Sequence, residues 1–140
     1  MDFARITPEF AVAPQILPRD AEELREAGFT DVVCNRPDEE VQDEVASQAV
    51  RAAVEGAGLR FHDNPVRNGA MSEQNIEEQR RVLAEAEGPV LAYCRSGTRS
   101  AVVWALGRED LSVDQILSAT GEAGYALDGL RPQLEARRNR

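Results

Sequence analysis

Lysine is absent from this chain, so all 16 of its cationic side chains are arginines. Arginine presents a planar fork suited to oxyanions, although genome composition accounts for the bias as a whole. Histidine occurs once, at His62, and cysteine twice, at Cys34 and Cys94. With no cluster of His and Cys, neither a metal nor a cofactor is expected. No segment approaches the ~20 apolar residues of a membrane span. The opening MDFARITPEF lacks the apolar core of a signal peptide, so a cytoplasmic protein is expected, with its two cysteines as thiols rather than a structural disulfide. Positive charge is also in short supply. The formal net charge of −9 argues against nucleic acid and against an anionic membrane surface as partners.

The 140 residues, 42% of them hydrophobic, suffice for one domain spanning 1–140. Short apolar runs alternate with helical patterns. Strands are expected at 10–13, 29–34, 59–63 and 89–93. Helices are expected from Pro18 to Ala27 with Gly28 as the stop, over 41–55, from a Ser72 cap to about Glu87, over 100–107, from a Ser112/Gln115 capping box, and through Leu127, Leu130 and Leu134. Asn35-Arg36-Pro37-Asp38 carries turn chemistry. This alternation predicts an α/β fold: a single domain with a mostly parallel sheet, flanked by helices and joined by right-handed crossovers. In such sheets, sites gather at the carboxyl ends of the strands. Cys34 and Cys94 both stand at such ends, which suggests proximity.

The stretch YCRSGTRS, residues 93 to 100, places Cys94 between a strand and a helix. A loop of that kind turns several N–H groups into one concavity at the positive end of a helix dipole. Gly97 permits the sharp turn, and a cysteine at the mouth of the nest is expected to act as a thiolate. Arg99 can fold back and hold an oxyanion with two parallel hydrogen bonds. Ser96, Thr98 and Ser100 supply hydroxyls, one of them as a donor to the sulfur. Arg95 points outward and either steers an anionic substrate or is solvated. Elsewhere a cysteine is most often a small buried hydrophobe. Here strand, Cys, Gly, Arg and helix in that order point to a nucleophile, on condition that the sulfur faces a pocket.

ITPEFAVAPQILPRD, the NRPD of VVCNRPDEE, NPVRNGAMS and VLAYCRSGTRSAVVWAL resemble the phosphatase-like domain family of beta-lactamase-hydrolase-like proteins, some of whose standalone members are labelled sulfur transferases. The resemblance covers nearly the whole chain and implies a protein-tyrosine or dual-specificity-phosphatase-like fold. Phosphatases of that superfamily place five residues between Cys and Arg. Four lie between Cys94 and Arg99, as in rhodanese-type sulfurtransferases, but the rest of the chain is not rhodanese-like. The superfamily usually draws its general acid from a loop reading roughly Pro-Val-x-Asp, and here that position is Asn68. Asp38 is the best substitute, with a turn-forming role as its alternative. The superfamily's usual His before the nucleophile is Tyr93.

The shortened loop and missing acid favour a cysteine sulfurtransferase with rhodanese-like activity, passing sulfane sulfur through a Cys94 persulfide from a small anionic donor to a thiol acceptor. A dual-specificity-type phosphatase acting through a Cys94 phospho-intermediate is the alternative, and a weak anion-binding or redox module is a third reading. Related domains are joined to a sulfur-oxidising metallo-hydrolase, so a persulfide-oxidising partner of that kind is a further expectation of the resemblance. Cys34 is inert packing, a resolving thiol or a sulfur acceptor. Arg36 either widens the positive rim or pairs with Asp38 or Glu39.

Overall fold

The computed structural model describes residues 1–139. Five strands form one sheet: β1 (Ala4–Thr7), β2 (Phe10–Ala13), β3 (Asp31–Cys34), β4 (Arg60–Asp63) and β5 (Val90–Tyr93). Their order is β1-β2-β5-β3-β4. Only β1 runs antiparallel, pairing with β2 at the edge; β2, β5, β3 and β4 are mutually parallel. The helices are α1 (Ala21–Glu26), α2 (Ser47–Gly56), α3 (Glu73–Glu85), α4 (Thr98–Gly107), α5 (Val113–Glu122) and α6 (Arg131–Arg138). The expected α/β class and mostly parallel sheet are therefore present.

All four residues of β2, β3 and β5 are buried, as a sheet covered on both faces requires. Alternate residues feed two cores. Ala11, Val32, Cys34, Leu91 and Tyr93 pack with Leu24, Val50, Val54 and Phe61 on the side of α1 and α2. Phe10, Val12, Val33, Val90 and Ala92 pack with Val82, Trp104, Ile116 and Leu134 on the other. The register aligns Ala13 and Cys34 with Tyr93, and Asp63 with Cys34. Four carboxyl ends thus finish at one level, and the loops that follow them meet above β5.

Local chemistry places the helix ends. The Ser72 hydroxyl accepts from Asn75 N at 3.1 Å, and Ser112 and Gln115 form the anticipated reciprocal box. Several expectations need correction. Of the last helix's three leucines only Leu134 lies in α6, because Leu127 caps and Leu130 ends a preceding 3-10 turn at Asp128–Leu130. The ARIT strand β1 was not anticipated, because four residues with only Ile6 buried carry too little periodicity. The helix expected over 41–55 begins only at Ser47, after two 3-10 turns at Asp38–Glu40 and Asp43–Val45. The Asp38 carboxylate accepts from both the N–H and the hydroxyl of Ser47, at 2.8 and 2.9 Å, and sets that start. Finally, α4 opens at Thr98 rather than Ser100.

Candidate active site

Leaving β5, the chain turns directly into the 94–99 loop. Cys94 N donates to Ala13 O at 3.4 Å, and Asn35 N to Tyr93 O at 2.8 Å, so the loops after β2 and β3 are stitched to the base of the nucleophile strand. The Cys94 sulfur accepts a hydrogen bond from Gly97 N at 3.1 Å. Gly97 has φ of +95°, where a side chain is disfavoured. A Cβ there would also meet the Tyr125 hydroxyl at 2.3 Å. Gly97→Ala is therefore expected to cost about 1–3 kcal/mol of backbone strain and to displace the N–H aimed at the sulfur. Urea unfolding together with turnover reads both effects.

Arg99 lies in the first turn of α4, and its guanidinium folds back over the loop as anticipated. Its fork is already filled. Nη1 and Nη2 donate to the two carboxylate oxygens of Glu40 at 2.9 and 2.8 Å, and Nη1 also donates to Val66 O at 2.7 Å. Arg36 steadies the same carboxylate through Nε at 3.3 Å and reaches Gln15 Oε1 at 3.1 Å. Gln15 N in turn donates to Arg95 O at 3.3 Å. A closed ring results, running from the 94–99 loop through Gln15, Arg36 and Glu40 back to Arg99. The Arg99 guanidinium holds the Glu40 carboxyl below its usual range, and Glu40 raises Arg99 further above its own. A lowered carboxyl adds stability above the ordinary glutamate value near 4.5 and loses it as pH falls through the lowered one. Denaturant midpoints of the parent and Glu40→Gln are accordingly expected to converge below about pH 4.5 and to separate at neutral pH.

Several expected site residues fall elsewhere. Asp38 is exposed and committed to Ser47. Arg36 pairs with Glu40 and Gln15 rather than with Asp38 or Glu39, because Glu39 is taken by Arg67. Asn68 is exposed in a turn whose Gly69 has φ of +74°. Arg95 points outward and is exposed, as expected. Among the described residues no hydroxyl bonds the sulfur: Ser96 Oγ donates to Thr98 Oγ1 at 3.0 Å, and the buried Ser100 hydroxyl has no partner. The sulfur's partner is instead a backbone N–H, which no side-chain motif announces. Cys34 packs under Tyr93 in the α1/α2 core, and its thiol donates to Arg36 O at 3.3 Å. Burial pushes that thiol up to about 11, against the smaller effect of the Tyr93 hydroxyl. That hydroxyl lies against the sulfur without full hydrogen-bond geometry. Both cysteines are free thiols.

Cys94 itself is only 1% exposed. The open cleft expected in front of it is replaced by a closed floor, with Gly97 N on the sulfur and Glu40 across Arg99. Open space begins beside Arg99, in a groove of about 600 Å³ lined among others by Val66, Asn68, Met71, Val102 and Leu106. Glu40, Gln15 and Tyr125 are parts of the site that the linear sequence did not mark. His62 pairs with buried Asp31 at 2.7 Å, away from the loop, and no group of His, Cys, Asp and Glu among the described residues is arranged to hold a metal.

Comparison with known proteins identifies the family and the fold. The profile of the family described as "Beta-lactamase hydrolase-like protein, phosphatase-like domain" matches residues 2–111. A beta-lactamase hydrolase-like protein of Agrobacterium fabrum is 32% identical over 107 residues, covering 76% of this chain and 25% of the relative. One from Xylella fastidiosa is 35% identical over 79 residues, covering 56% and 18%. The chain thus spans a quarter or less of these curated relatives. Among solved structures, a candidate phosphatase of Neisseria meningitidis superposes with a TM-score of 0.85 at 33% identity, over 99% of both chains. Tk-PTP in its active form gives 0.77 at 19% identity, over 99% of this chain and 97% of that one, which speaks to the fold alone. No helix among the described residues is long and apolar enough to cross a membrane.

Proposed function

This chain belongs to the phosphatase-like domain family of beta-lactamase hydrolase-like proteins, and from that premise we propose that it is a cysteine-dependent phosphatase with Cys94 as nucleophile. The contact that carries this reading is Gly97 N–H on the Cys94 sulfur at 3.1 Å, in a strand–loop–helix turn with Arg99 folded over its mouth. The family assignment and the Neisseria likeness support it. Two observations count against it: the four-residue loop by itself favours sulfur chemistry, and at 1% exposure Cys94 meets a substrate only if the Glu40–Arg99 pair opens.

In the proposed reaction the substrate's phosphoryl oxygens displace the Glu40 carboxylate from the Arg99 fork, exchanging one planar pair of oxygens for another. The Cys94 thiolate attacks phosphorus, an S–P bond forms and the ester P–O bond breaks. The leaving oxygen departs with the electron pair and takes a proton from water. Water then attacks phosphorus, the S–P bond breaks, and inorganic phosphate leaves with the thiolate restored. A side-chain acid at the leaving oxygen contributes about 10²–10⁴-fold, and position 68 holds an amide. Turnover is therefore expected to depend steeply on the leaving group: activated aryl phosphates react, while alkyl phosphates are slower by at least about 10²-fold.

One observation favours a second reading. Sulfane-sulfur transfer expels a weak base and needs no acid, which fits Asn68. Cys94 thiolate would attack the outer sulfur of thiosulfate, the S–S bond would break and sulfite would leave. A thiol acceptor would then remove the terminal sulfur of the persulfide. Rhodanese-like activity, an anionic sulfur donor, a thiol acceptor and a joined metallo-hydrolase belong to that reading. The two separate in one assay. Phosphate released from an aryl ester, with no sulfur adduct on Cys94 after thiosulfate, supports the phosphatase; a Cys94 adduct one sulfur heavier, without phosphate release, overturns it.

A further inference from the structure

We propose that Tyr125 is a positioning residue that fixes the orientation of the 96–97 peptide and thereby holds the Gly97 N–H on the nucleophile. The inference rests on Cys94 being the nucleophile, but its test does not depend on which substrate is used. Tyr125 follows α5 and lies 28 residues beyond Gly97 in the chain. Its hydroxyl donates to Ser96 O at 3.0 Å. The amide on the other end of the same peptide, Gly97 N, donates to the Cys94 sulfur at 3.1 Å.

A trans peptide is planar, so its C=O and N–H point in opposite directions, and no cis bond is present among the described residues. Holding the carbonyl on the phenol therefore aims the N–H at the sulfur. Released, the plane can rotate about its flanking bonds, which Gly97 at φ of +95° permits more readily than any other residue. A flip brings a carbonyl dipole to face the thiolate where a donor had been. The preceding peptide is held in the same sense, because Arg95 O accepts from Gln15 N at 3.3 Å. Two successive carbonyls are thus tied outward, one by backbone and one by Tyr125.

Gly97 and Tyr125 are matched in shape as well. A Cβ at 97 would lie 2.3 Å from the phenol oxygen, so the hydroxyl reaches Ser96 O across the space a side chain would fill. Burial raises the Tyr125 phenol above its ordinary value, with the Cys94 sulfur adding to it. The hydroxyl is therefore a neutral donor at neutral pH. Arg99 also faces the sulfur, with Glu40 behind it; neither touches the 96–97 peptide.

The test uses a Cys34→Ser background and the ultraviolet absorbance of the Cys94 thiolate as a function of pH, with Cys94→Ser as the blank. Tyr125→Phe keeps the ring and removes the donor. It is expected to move the thiolate titration upward by about one unit, the size of one lost hydrogen bond to a charged group, and to lower kcat/KM about tenfold. 3-Fluorotyrosine at position 125, a stronger donor, is expected to move the titration the other way. An unmoved titration in folded Tyr125→Phe, or shifts of the same sign in both variants, overturns the proposal. If both variants shift as expected but the parent turns over neither phosphate esters nor thiosulfate, the positioning role stands and the functional reading fails.

Discussion

Cys94→Ser is expected to lower turnover by ~10⁴-fold or more while leaving the fold intact. The hydroxyl is smaller than the thiol and still accepts from Gly97 N, so the loop keeps its shape. An alcohol in the same nest is protonated at any working pH, and no neighbouring base among the described residues is placed to activate it. Asp38 is committed to Ser47, and Glu40, which the substrate displaces from Arg99, is far too weak a base for an alcohol. Phosphate release under single-turnover conditions, with circular dichroism as the control, reads the result. Residual turnover within tenfold of the parent would mean that the chemistry runs elsewhere.

Arg99→Lys should be nearly as damaging. An ammonium carries the charge but not the fork, and Arg99 uses both of its terminal nitrogens on Glu40. The expected loss in kcat/KM is about 10²–10³-fold, the usual consequence of removing one oxyanion donor. The carboxylate facing position 99 is part-buried, with a side-chain exposure of 25%, and keeps Arg36 as its one arginine partner. Glu40→Gln probes the other half of the pair. It removes a charge that a dianionic substrate must otherwise approach, so KM for a phosphoryl ester is expected to fall. The arginine simultaneously loses the partner that orients it, so kcat is expected to fall too. Steady-state kinetics of both single variants and the double variant give the coupling between the two residues.

The legible parts of the site were those written consecutively. Cys94, Gly97 and Arg99 share a single loop, so their relation is set by local backbone chemistry. The cap at Ser72, the capping box at Ser112 and the stop at Gly28 are equally local, and they fall where the sequence puts them. Glu40 and Gln15 were not legible, because what brings them to Arg99 and Arg95 is the placement of β5 between β2 and β3. A list of strands does not contain that order. Asp38 had two readings, acid or turn-former, and its partner, nine positions on at the start of α2, fits the second. Tyr125 carries no motif at all. Only the peptide plane it grips gives it meaning.

The level finish of the four parallel strands has a consequence for assembly. Contacts such as Gln15 with Arg95 and Glu40 with Arg99 join segments 80 and 59 positions apart, and they exist only once every parallel neighbour is in register. Long-range pairings of this kind close slowly. Binding competence should therefore arrive late in refolding, after most secondary structure has formed. Under mild destabilisation it should also vanish before the helical signal does.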